Sequence, residues 1–455
     1  MISGQLPSSI GGYDNAAYFP ADTPTLAHYL RAAGYQTSLC GKMHFVGADQ
    51  LHGFEERLTT DIYPSDFGWT PNWEDFDTRP SWYHNMLSVV QAGVCETSNQ
   101  LDFDEEVAHR GVRKLYDLAR SSDTRPFFLL ASFTHPHDPF AITPEYWNRY
   151  NDDEIDLPNV PQLPYEDLDP HSQRLHHVCA VGDFEQTNER IRRARRAYYG
   201  MVSYIDDKVG ELVAALKATG QLDNTIIIFT ADHGEMLGER GLWYKMSFFE
   251  NSAHVPLLVY APERFKAGRI EDPVSLVDLL PTLANLASES EEVTYAAPIE
   301  GSSLLPLLQG ETLETKRSVY GEMLGEGAVS PVLMIRRGTY KYIYSQPDPE
   351  QLYNLADDLH ELNNLANVPE HKSTLEAFRT ELRQKWDVEG LHQDVLASQR
   401  RRRLVDSALR EGRHTAWDFQ PFQDASERFM RNHLDLNVLE KSSRFPTPDI
   451  PEPDK

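Results

Sequence analysis

The sequence predicts an α/β fold in which a mixed β-sheet is sandwiched by helices, followed by a small α+β domain. Two observations predict it. Short, wholly apolar segments at residues 127–133 and 225–230 alternate with longer segments that have the apolar spacing of helices. Such strands are typical of a sheet that is covered on both faces. Beyond residue 317, short strands separated by tight turns indicate antiparallel hairpins.

The elements of the first domain can be placed in order along residues 1–317. Apolar periodicity sets their bounds, as do Pro24 before the first helix and Gly34 after it. Residues 51–90 and 151–185 lack such a period, so we predict a long functional loop and a surface excursion there. The predicted elements are a helix at 25–33, a strand at 35–39, a helix at 104–120, a strand at 127–133, a helix at 189–218, strands at 225–230 and 256–260, and a helix at 275–287.

A second domain is predicted for residues 318–390 and a C-terminal tail for residues 391–455. The tail has little period and contains four consecutive arginines, residues 400–403. We interpret these arginines as a solvated or interfacial helix face and the tail as an oligomerisation segment. The second domain is predicted to contain strands at 319–324, 332–336 and 340–344 and a helix at 371–386.

Composition limits the classes of function. The chain has 455 residues, and 43 Lys and Arg against 70 Asp and Glu give a net charge of −27. An acidic surface repels phosphate backbones, so we expect no nucleic-acid partner. We also expect no membrane span and no secretory signal, because no apolar segment is long enough for either. Three cysteines are too few for a disulfide framework, so a cytoplasmic location is expected.

Polar residues follow two of the predicted strands where each strand ends. The first group contains Lys42 and His44, and the second is His135-Pro136-His137-Asp138-Pro139. A Lys and a His at the carboxyl end of a strand suit an anionic ligand in a crevice of the sheet. The second group suits metal ligation, anion binding or general acid chemistry. Each group, taken singly, is also compatible with an ordinary solvated loop.

A third group follows the strand at residues 225–230. Asp232 and His233 are adjacent, and Lys245 lies twelve residues after His233. This pair suits a divalent cation with an anionic ligand beside it, and oxygen ligands favour calcium, magnesium or manganese. A structural hydrogen bond between the two side chains is the alternative. Because the strand ends are expected to meet at one edge of the sheet, the three groups are predicted to converge in one crevice.

These segments carry a resemblance to a known family. GKMHF, THPHDPF, TADHGEMLGERGLWYK and QLYNLADDLHELNNLA resemble, in this order, the motifs of the type I sulfatases in the alkaline phosphatase superfamily. GQLPSSIGGYDNAAYF and RFMRNHLDLNVLEKSSRFP are similar to the choline-sulfatase subfamily. The resemblance implies the sulfatase fold and the hydrolysis of a small sulfate ester with a quaternary ammonium head, choline sulfate, to choline and sulfate. It also implies a divalent metal ion, first Ca²⁺ with Mg²⁺ or Mn²⁺ as alternatives, and a homo-oligomer, either a dimer or a tetramer.

The resemblance further implies roles for individual residues. Lys42 and Lys245 contact the sulfate group, His44 supports the nucleophile and His137 faces the scissile oxygen. Asp232 and His233 hold the metal ion. Aromatic faces and carboxylates suit a quaternary ammonium group. The residues implied to line the pocket for the choline head are Asn15, Trp69, His84, Glu322 and, in the tail, Asp435.

One motif of the family is absent. Type I sulfatases use a formylglycine nucleophile made from the first residue of a C/S-x-P-x-R pattern, which occurs nowhere in the 455 residues. Cys40, Cys95 and Cys179 all lack the required Pro and Arg. We therefore expect a sequence truncated at its N-terminal end and a chain that is inactive by itself. The alternatives are a phosphonate or phosphate ester hydrolase of the same superfamily and a non-catalytic remnant that acts in binding or assembly.

Overall fold

Strands and helices alternate along the first part of the chain, as the sequence predicts. The computed structural model describes residues 1–63, 66–288, 293–312 and 316–412. The strands are β1 (Gln36–Gly41), β2 (Glu56–Arg57), β3 (Gly93–Val94), β4 (Phe127–Ser132), β5 (Ala141–Ile142), β6 (Ile227–Thr230), β7 (Leu257–Tyr260), β8 (Ser318–Met323), β9 (Val332–Arg337), β10 (Tyr340–Ser345) and β11 (Gln351–Asn354).

The α-helices contain more of the described residues than the strands do. The α-helices are α1 (Pro7–Ile10), α2 (Leu26–Ala32), α3 (Leu87–Val90), α4 (Asn99–Arg120), α5 (Pro144–Trp147), α6 (Pro170–Val178), α7 (Asn188–Ala218), α8 (Glu250–Ala253), α9 (Leu279–Ala287), α10 (Leu305–Leu308), α11 (Lys372–Lys385) and α12 (Val388–Arg410). None of the helices in the described ranges is both long and apolar enough to cross a lipid bilayer.

The strands of the first domain include both parallel and antiparallel pairs. β2, β1 and β4 form a parallel sheet in that order, with Gly41 of β1 opposite Ser132 of β4. β6 and β7 pair with each other in antiparallel fashion. Parallel alignment brings the carboxyl ends of β1 and β4 to the same edge, which is where their polar loops begin.

The helices before β4 and β6 begin at side-chain caps. The Ser98 hydroxyl accepts a hydrogen bond from the Leu101 N–H at 3.2 Å, so α4 begins five residues before the predicted start at residue 104. Thr187 caps α7 in the same way through the Arg190 N–H. A capping oxygen satisfies an N–H group that has no partner within the helix, and this fixes where each helix starts.

The apolar strands β4, β6 and β7 are less buried than their composition predicts. Leu258 and Tyr260 on β7 are 58% and 47% exposed. The reason is that β4 is an edge strand and β6 pairs only with β7 among the described residues. The expectation of full burial was therefore wrong for these strands.

The segment predicted to form a second domain has the expected antiparallel sheet, in the order β11-β10-β9-β8. Its core face carries Leu333, Ile335, Tyr342 and Leu352, all of which are fully buried. The α11 side chain of Phe378 stacks on the Tyr342 ring with centroids 5.7 Å apart. The predicted strand at 340–344 and the predicted helix at 371–386 are thus confirmed, with bounds that differ by at most one residue at each end.

Two predictions about irregular segments need correction. The segment 151–185 contains α6, whose residues His171, Leu175 and Val178 are buried, so it is not merely a surface excursion. The start of the tail is a regular helix, α12, although the sequence pattern showed little period. Met1–Ala408 form one compact unit, which includes both predicted domains, and Leu409–Lys455 form a second unit.

Candidate active site

The loop after β1 presents Lys42 because the chain passes very close to β4. Gly41 has a φ of +113°, and a Cβ at this position would lie 1.9 Å from the Ser132 carbonyl oxygen, so only glycine fits. The Lys42 ammonium then lies 5.4 Å from the centroid of the Tyr63 ring. Burial lowers the pKa of Lys42, and the neighbouring Asp232 opposes this effect.

The same loop continues to His44, which is held by a carboxylate. Asp61 accepts hydrogen bonds from the His44 N–H at 2.7 Å and from the Met43 N–H at 2.9 Å, and it pairs with Arg57 at 2.8 Å. These contacts stabilise His44 in the left-handed region, at φ 62°. Burial is the main reason that the pKa of His44 is lowered, so its imidazole is neutral.

The loop after β4 is anchored by Asp104 of α4. Its carboxylate accepts the Thr134 N–H at 2.7 Å, the His135 N–H at 2.9 Å and the His135 Nδ1 at 2.6 Å. The Asp104 and His135 side chains have no exposed surface. His135 therefore fixes the loop, and His137 is the histidine that faces the crevice.

His137 and Lys245 lie at the centre of the site. The Lys245 Nζ is 2.7 Å from His137 Nε2 and 3.2 Å from His84 Nε2. His137 Nδ1 donates to the Asp138 carbonyl oxygen at 2.8 Å. Since Nδ1 carries the proton, Nε2 of a neutral ring accepts from the Lys245 ammonium. Burial and the charge of Lys245 lower the pKa of His137, which keeps the ring neutral.

His84 has the opposite electrostatic environment. Its Nδ1 lies 3.4 Å from Glu326 Oε1, and its Nε2 lies 3.5 Å from Asp138 Oδ1. Burial and Lys245 act to lower the pKa of His84, but the two carboxylates outweigh them and raise it to about 8. Burial also opposes ionisation of Asp138, yet its hydrogen bond with His84 and the charges of His137 and Lys245 hold its pKa far below the usual value.

The loop after β6 presents an oxygen and a nitrogen donor to the same crevice. A Cβ on Gly234 would lie 2.1 Å from the Asn251 carbonyl oxygen, so the tight turn here requires glycine. His233 Nδ1 donates to the Gly234 carbonyl at 2.8 Å, which leaves Nε2 as a free lone pair. The His233 and His137 rings are 5.9 Å apart.

The Asp232 and His233 donors fit a divalent cation. His233 Nε2 lies 3.8 Å from Asp232 Oδ2, a spacing that one ion can bridge at ordinary ligand distances. The Asp232 side chain is 70% exposed to solvent. Surrounding protein atoms oppose its ionisation, but His233, Lys42 and Lys245 lower its pKa to about 2. Burial and Lys245 lower the pKa of His233 to about 4, so the imidazole is neutral, as a ligand must be.

A second group of donors lies nearby. The ligand atoms of His84, His137 and Asp138 all lie within 4.8 Å of one another. The Lys245 ammonium already lies against both histidines of this group. A divalent cation bound there would face this ammonium at contact distance, which makes the group a less suitable metal site than Asp232 and His233.

Aromatic rings connect the polar centre to the predicted pocket for a cationic head. The Tyr63 ring lies 5.7 Å from His137 and 6.5 Å from Trp69. Trp69 stacks on Trp82 with centroids 6.2 Å apart and lies 5.7 Å from the His44 ring. Burial raises the pKa of Tyr63 to about 12, so its phenol is neutral.

The structure brings most of the predicted site residues together. Lys42, His44, Trp69, His84, His137, His233 and Lys245 are joined through the ring contacts and hydrogen bonds above, and Asp232 lies beside His233. The main chain of Asn15 hydrogen-bonds the His44 imidazole. Asp435 lies outside the described residues.

Glu322 has other partners than expected. Its carboxylate accepts the Ser8 N–H at 2.8 Å, the Ser8 hydroxyl at 2.6 Å and Trp386 Nε1 at 2.6 Å. The carboxylate beside His84 belongs instead to Glu326, which sequence reasoning missed. Asp61 and Tyr63 were also missed as site residues, and Asp138 was named in the second polar group without a role of its own.

Comparisons with known proteins decide the family. The Sulfatase family model matches residues 1–289, and models for the C-terminal regions of N-sulphoglucosamine sulphohydrolase and of choline sulfatase match residues 238–387 and 393–445. Choline-sulfatase from Rhizobium meliloti (strain 1021) is 49% identical over an alignment of 453 residues that covers 98% of this chain and 88% of that protein. The chain belongs to the sulfatase family.

More distant relatives agree with this assignment. Arylsulfatase from Clostridium perfringens (strain 13 / Type A) is 28% identical to this sulfatase, over an alignment that covers 83% of this chain and 81% of that protein. The solved phosphonate monoester hydrolase from Agrobacterium radiobacter has a TM-score of 0.65 at 22% identity, with 86% of this chain and 85% of that chain covered. This structural likeness confirms the predicted fold class. By family the protein is a sulfuric ester hydrolase, and the family uses a divalent metal ion.

Proposed function

We propose that the substrate of this sulfatase site is choline sulfate, or a closely similar sulfate ester with a quaternary ammonium head, which the 455 residues bind and which is hydrolysed where the formylglycine nucleophile of the family is present. The observation that supports the proposal is the position of Trp69, Trp82 and the Glu326–His84 pair next to the Lys245–His137 centre. A fixed cation without N–H groups is bound by aromatic faces and carboxylates. The 49% identity to a choline-sulfatase gives independent support.

The anionic end of the substrate is proposed to bind at the lysines. Lys42 and Lys245 both face Asp232, and their charges contribute to its low pKa. Two ammonium groups in a partly desolvated crevice attract a sulfate group strongly and stabilise the charge that spreads over its oxygens during S–O cleavage. We assign both lysines to sulfate binding.

The departing choline oxygen needs a proton. His137 is neutral and its Nε2 accepts from Lys245, so it has no acidic proton of its own on that side. We propose that His137 and Lys245 act as one unit, in which the ammonium proton is delivered at the scissile oxygen while His137 fixes the orientation of the donor. His44, held by Asp61, would support the formylglycine nucleophile that attacks sulfur in the family; the C/S-x-P-x-R motif from which it is made does not occur in the 455 residues.

Asp232 and His233 are proposed to hold the metal ion of the family, with Ca²⁺ as the preferred ion. A bound divalent cation supplies Lewis-acid stabilisation of sulfate oxygens. Asp232 provides an ionised oxygen, which a hard cation prefers, and the His233 Nε2 lone pair completes this side of the site. A homo-oligomer with Asp435 at a neighbouring pocket and a cytoplasmic location stay predictions.

Binding is the direct test, because the C/S-x-P-x-R pattern does not occur in the 455 residues. In calorimetric titrations, we expect choline sulfate to bind about ten-fold or more tightly than 4-nitrophenyl sulfate or an aryl phosphonate ester. Trp69→Ala should weaken choline sulfate binding by about five- to thirty-fold and leave 4-nitrophenyl sulfate binding nearly unchanged.

A matched control is Trp147→Ala, which removes a tryptophan that packs on Arg196 at 4.4 Å. This variant should bind choline sulfate as the parent chain does. Equal affinity of the parent chain for all three esters would contradict the proposed substrate. Preferential binding of the phosphonate would instead favour the phosphonate hydrolase alternative.

A further inference from the structure

A buried ion pair connects α12 to the two chain segments that carry predicted pocket residues. The Arg402 guanidinium donates to both Asp14 carboxylate oxygens, at 2.6 Å and 2.7 Å, and to the Thr70 hydroxyl at 3.1 Å. The Arg402 and Asp14 side chains are only 7% and 2% exposed. Asn15 follows Asp14 directly and Trp69 precedes Thr70 directly, so one guanidinium fixes the main chain beside both residues.

Gln399, which lies one helical turn before Arg402 on α12, connects a third chain segment to this ion pair. Gln399 is 2% exposed, and its side-chain oxygen accepts the Trp73 N–H at 3.1 Å. Trp73 Nε1 in turn donates to the Gly325 carbonyl at 3.2 Å. Glu326, the partner of His84, follows Gly325 directly. Three segments that carry Asn15, Trp69 and Glu326 are therefore linked on the side facing α12.

Gly325 also shows how closely these segments pack. A Cβ at Gly325 would lie 3.2 Å from the Asp14 Cβ, so the segment before Glu326 packs directly against the residue that Arg402 binds. The exposed arginines of α12 make different contacts. Arg403 donates to Asn72 at 2.6 Å and Arg400 pairs with Glu74, both at the surface.

We propose that Arg402, with Asp14 and Gln399, positions the cation-binding wall of the site and thereby sets its selectivity for a quaternary ammonium head. This inference rests on the proposed function, because it concerns the same pocket. Arg402 does not touch the substrate; it acts through Asn15, Trp69 and Glu326. A bidentate guanidinium–carboxylate pair fixes one relative orientation of its partners, which a lysine cannot do.

The position of Arg402 and Gln399 in the chain agrees with this role. Both lie within the residues matched by the choline sulfatase C-terminal model, 393–445, and outside those matched by the general Sulfatase model, 1–289. Lys42, Lys245, Asp232 and His233, which serve the sulfate end, all lie within the general model. The helix α12 thus acts on the end of the pocket that distinguishes one sulfate ester from another.

The test compares choline and sulfate binding in variants of the full chain. Arg402→Lys keeps the charge but loses the bidentate pair, and we expect it to weaken choline binding by about five- to thirty-fold while sulfate binding stays within about two-fold. Asp14→Asn should have the same selective effect. Arg403→Ala, which removes an exposed arginine from the same helix, should change neither affinity.

The outcomes separate the two proposals. If the parent chain fails to bind choline, the proposed function is wrong and this inference falls with it. If the parent chain binds choline and Arg402→Lys binds it equally well, the proposed function stands and the positioning role is overturned. Equal losses for choline and sulfate would show general structural support and also overturn it. If Arg402→Lys does not fold by circular dichroism, Gln399→Leu gives the same comparison through Trp73.

Discussion

Three histidines in one crevice have different protonation states because each ring has different partners. His137 and His233 donate from Nδ1 to main-chain carbonyls, and burial and Lys245 keep both rings neutral. His84 lies between the carboxylates of Asp138 and Glu326, and its pKa is raised to about 8. The crevice therefore has neutral imidazoles at the proposed sulfate end, and the cationic imidazole of His84 beside the pocket wall is outweighed by the two carboxylates that flank it.

The raised pKa of His84 predicts a titration that can be observed directly. We expect the His84 ring to titrate near pH 8 in NMR spectra of the chain. Glu326→Gln should lower this pKa because it removes one of the two carboxylates. His254, whose pKa is raised by its contact with Glu250, is the internal control and should not shift in this variant.

The same shift has a consequence for stability. A raised pKa in the folded chain means that protonated His84 stabilises the fold below its unfolded pKa of 6.5, and this contribution is lost as the pH rises through about 8. Glu326→Gln should flatten this part of the stability profile. An unchanged His84 pKa in Glu326→Gln would show that the contact does not determine its charge.

The proposed role of Asp232 as a metal ligand can be tested without turnover. Asp232→Asn keeps the shape of the side chain but removes its charge, so Ca²⁺ binding measured by calorimetry should weaken by more than the roughly ten-fold that loss of an outer partner costs. The control is Asp153→Asn, which changes an exposed aspartate on a short 3₁₀ segment. Undiminished Ca²⁺ binding in Asp232→Asn would remove this residue from the metal site.

At the scale of elements, the loop after β4 depends on a residue of α4. Asp104 accepts three hydrogen bonds from Thr134 and His135 and has no exposed surface. Asp104→Ala leaves these donors buried without a partner, and we expect a loss of about 3–5 kcal/mol in the free energy of unfolding, measured by urea denaturation. Asp117→Ala on the same helix removes an exposed carboxylate and should leave the free energy of unfolding nearly unchanged. Similar small losses in both variants would show that Asp104 is not the anchor.

The sequence predicted the helices and strands whose buried residues are apolar and regularly spaced. It missed elements in which polar side chains occupy part of the buried face. The residues that follow β1, β4 and β6 were placed correctly, because an apolar segment ends just before each group. The start of α12 was missed because its buried face includes Gln399 and Arg402 beside Leu391 and Val395. Polar side chains in buried positions hide the period, and their partners lie far away in sequence.

Across the whole molecule, long-range contacts explain which site residues escaped prediction. Glu326 meets His84 across 242 residues, and Tyr63 meets His137 from within a loop that has no periodic pattern. Neither contact leaves a local signal in the chain. By contrast, Lys42, His137 and Asp232 belong to segments that resemble family motifs. The resemblance thus supplied the residues of the proposed sulfate end, and the three-dimensional contacts were needed for the wall that is proposed to face the cationic head.

The pocket beside the proposed sulfate site is proposed above all to recognise a fixed positive charge. The most direct measurement compares binding of choline with that of 3,3-dimethylbutanol, a neutral molecule of the same shape, to the 455-residue chain at constant ionic strength. We predict that choline binds at least about ten-fold more tightly, because aromatic faces and carboxylates attract the cation beyond its apolar contact. Equal affinities for the two molecules would contradict the claim.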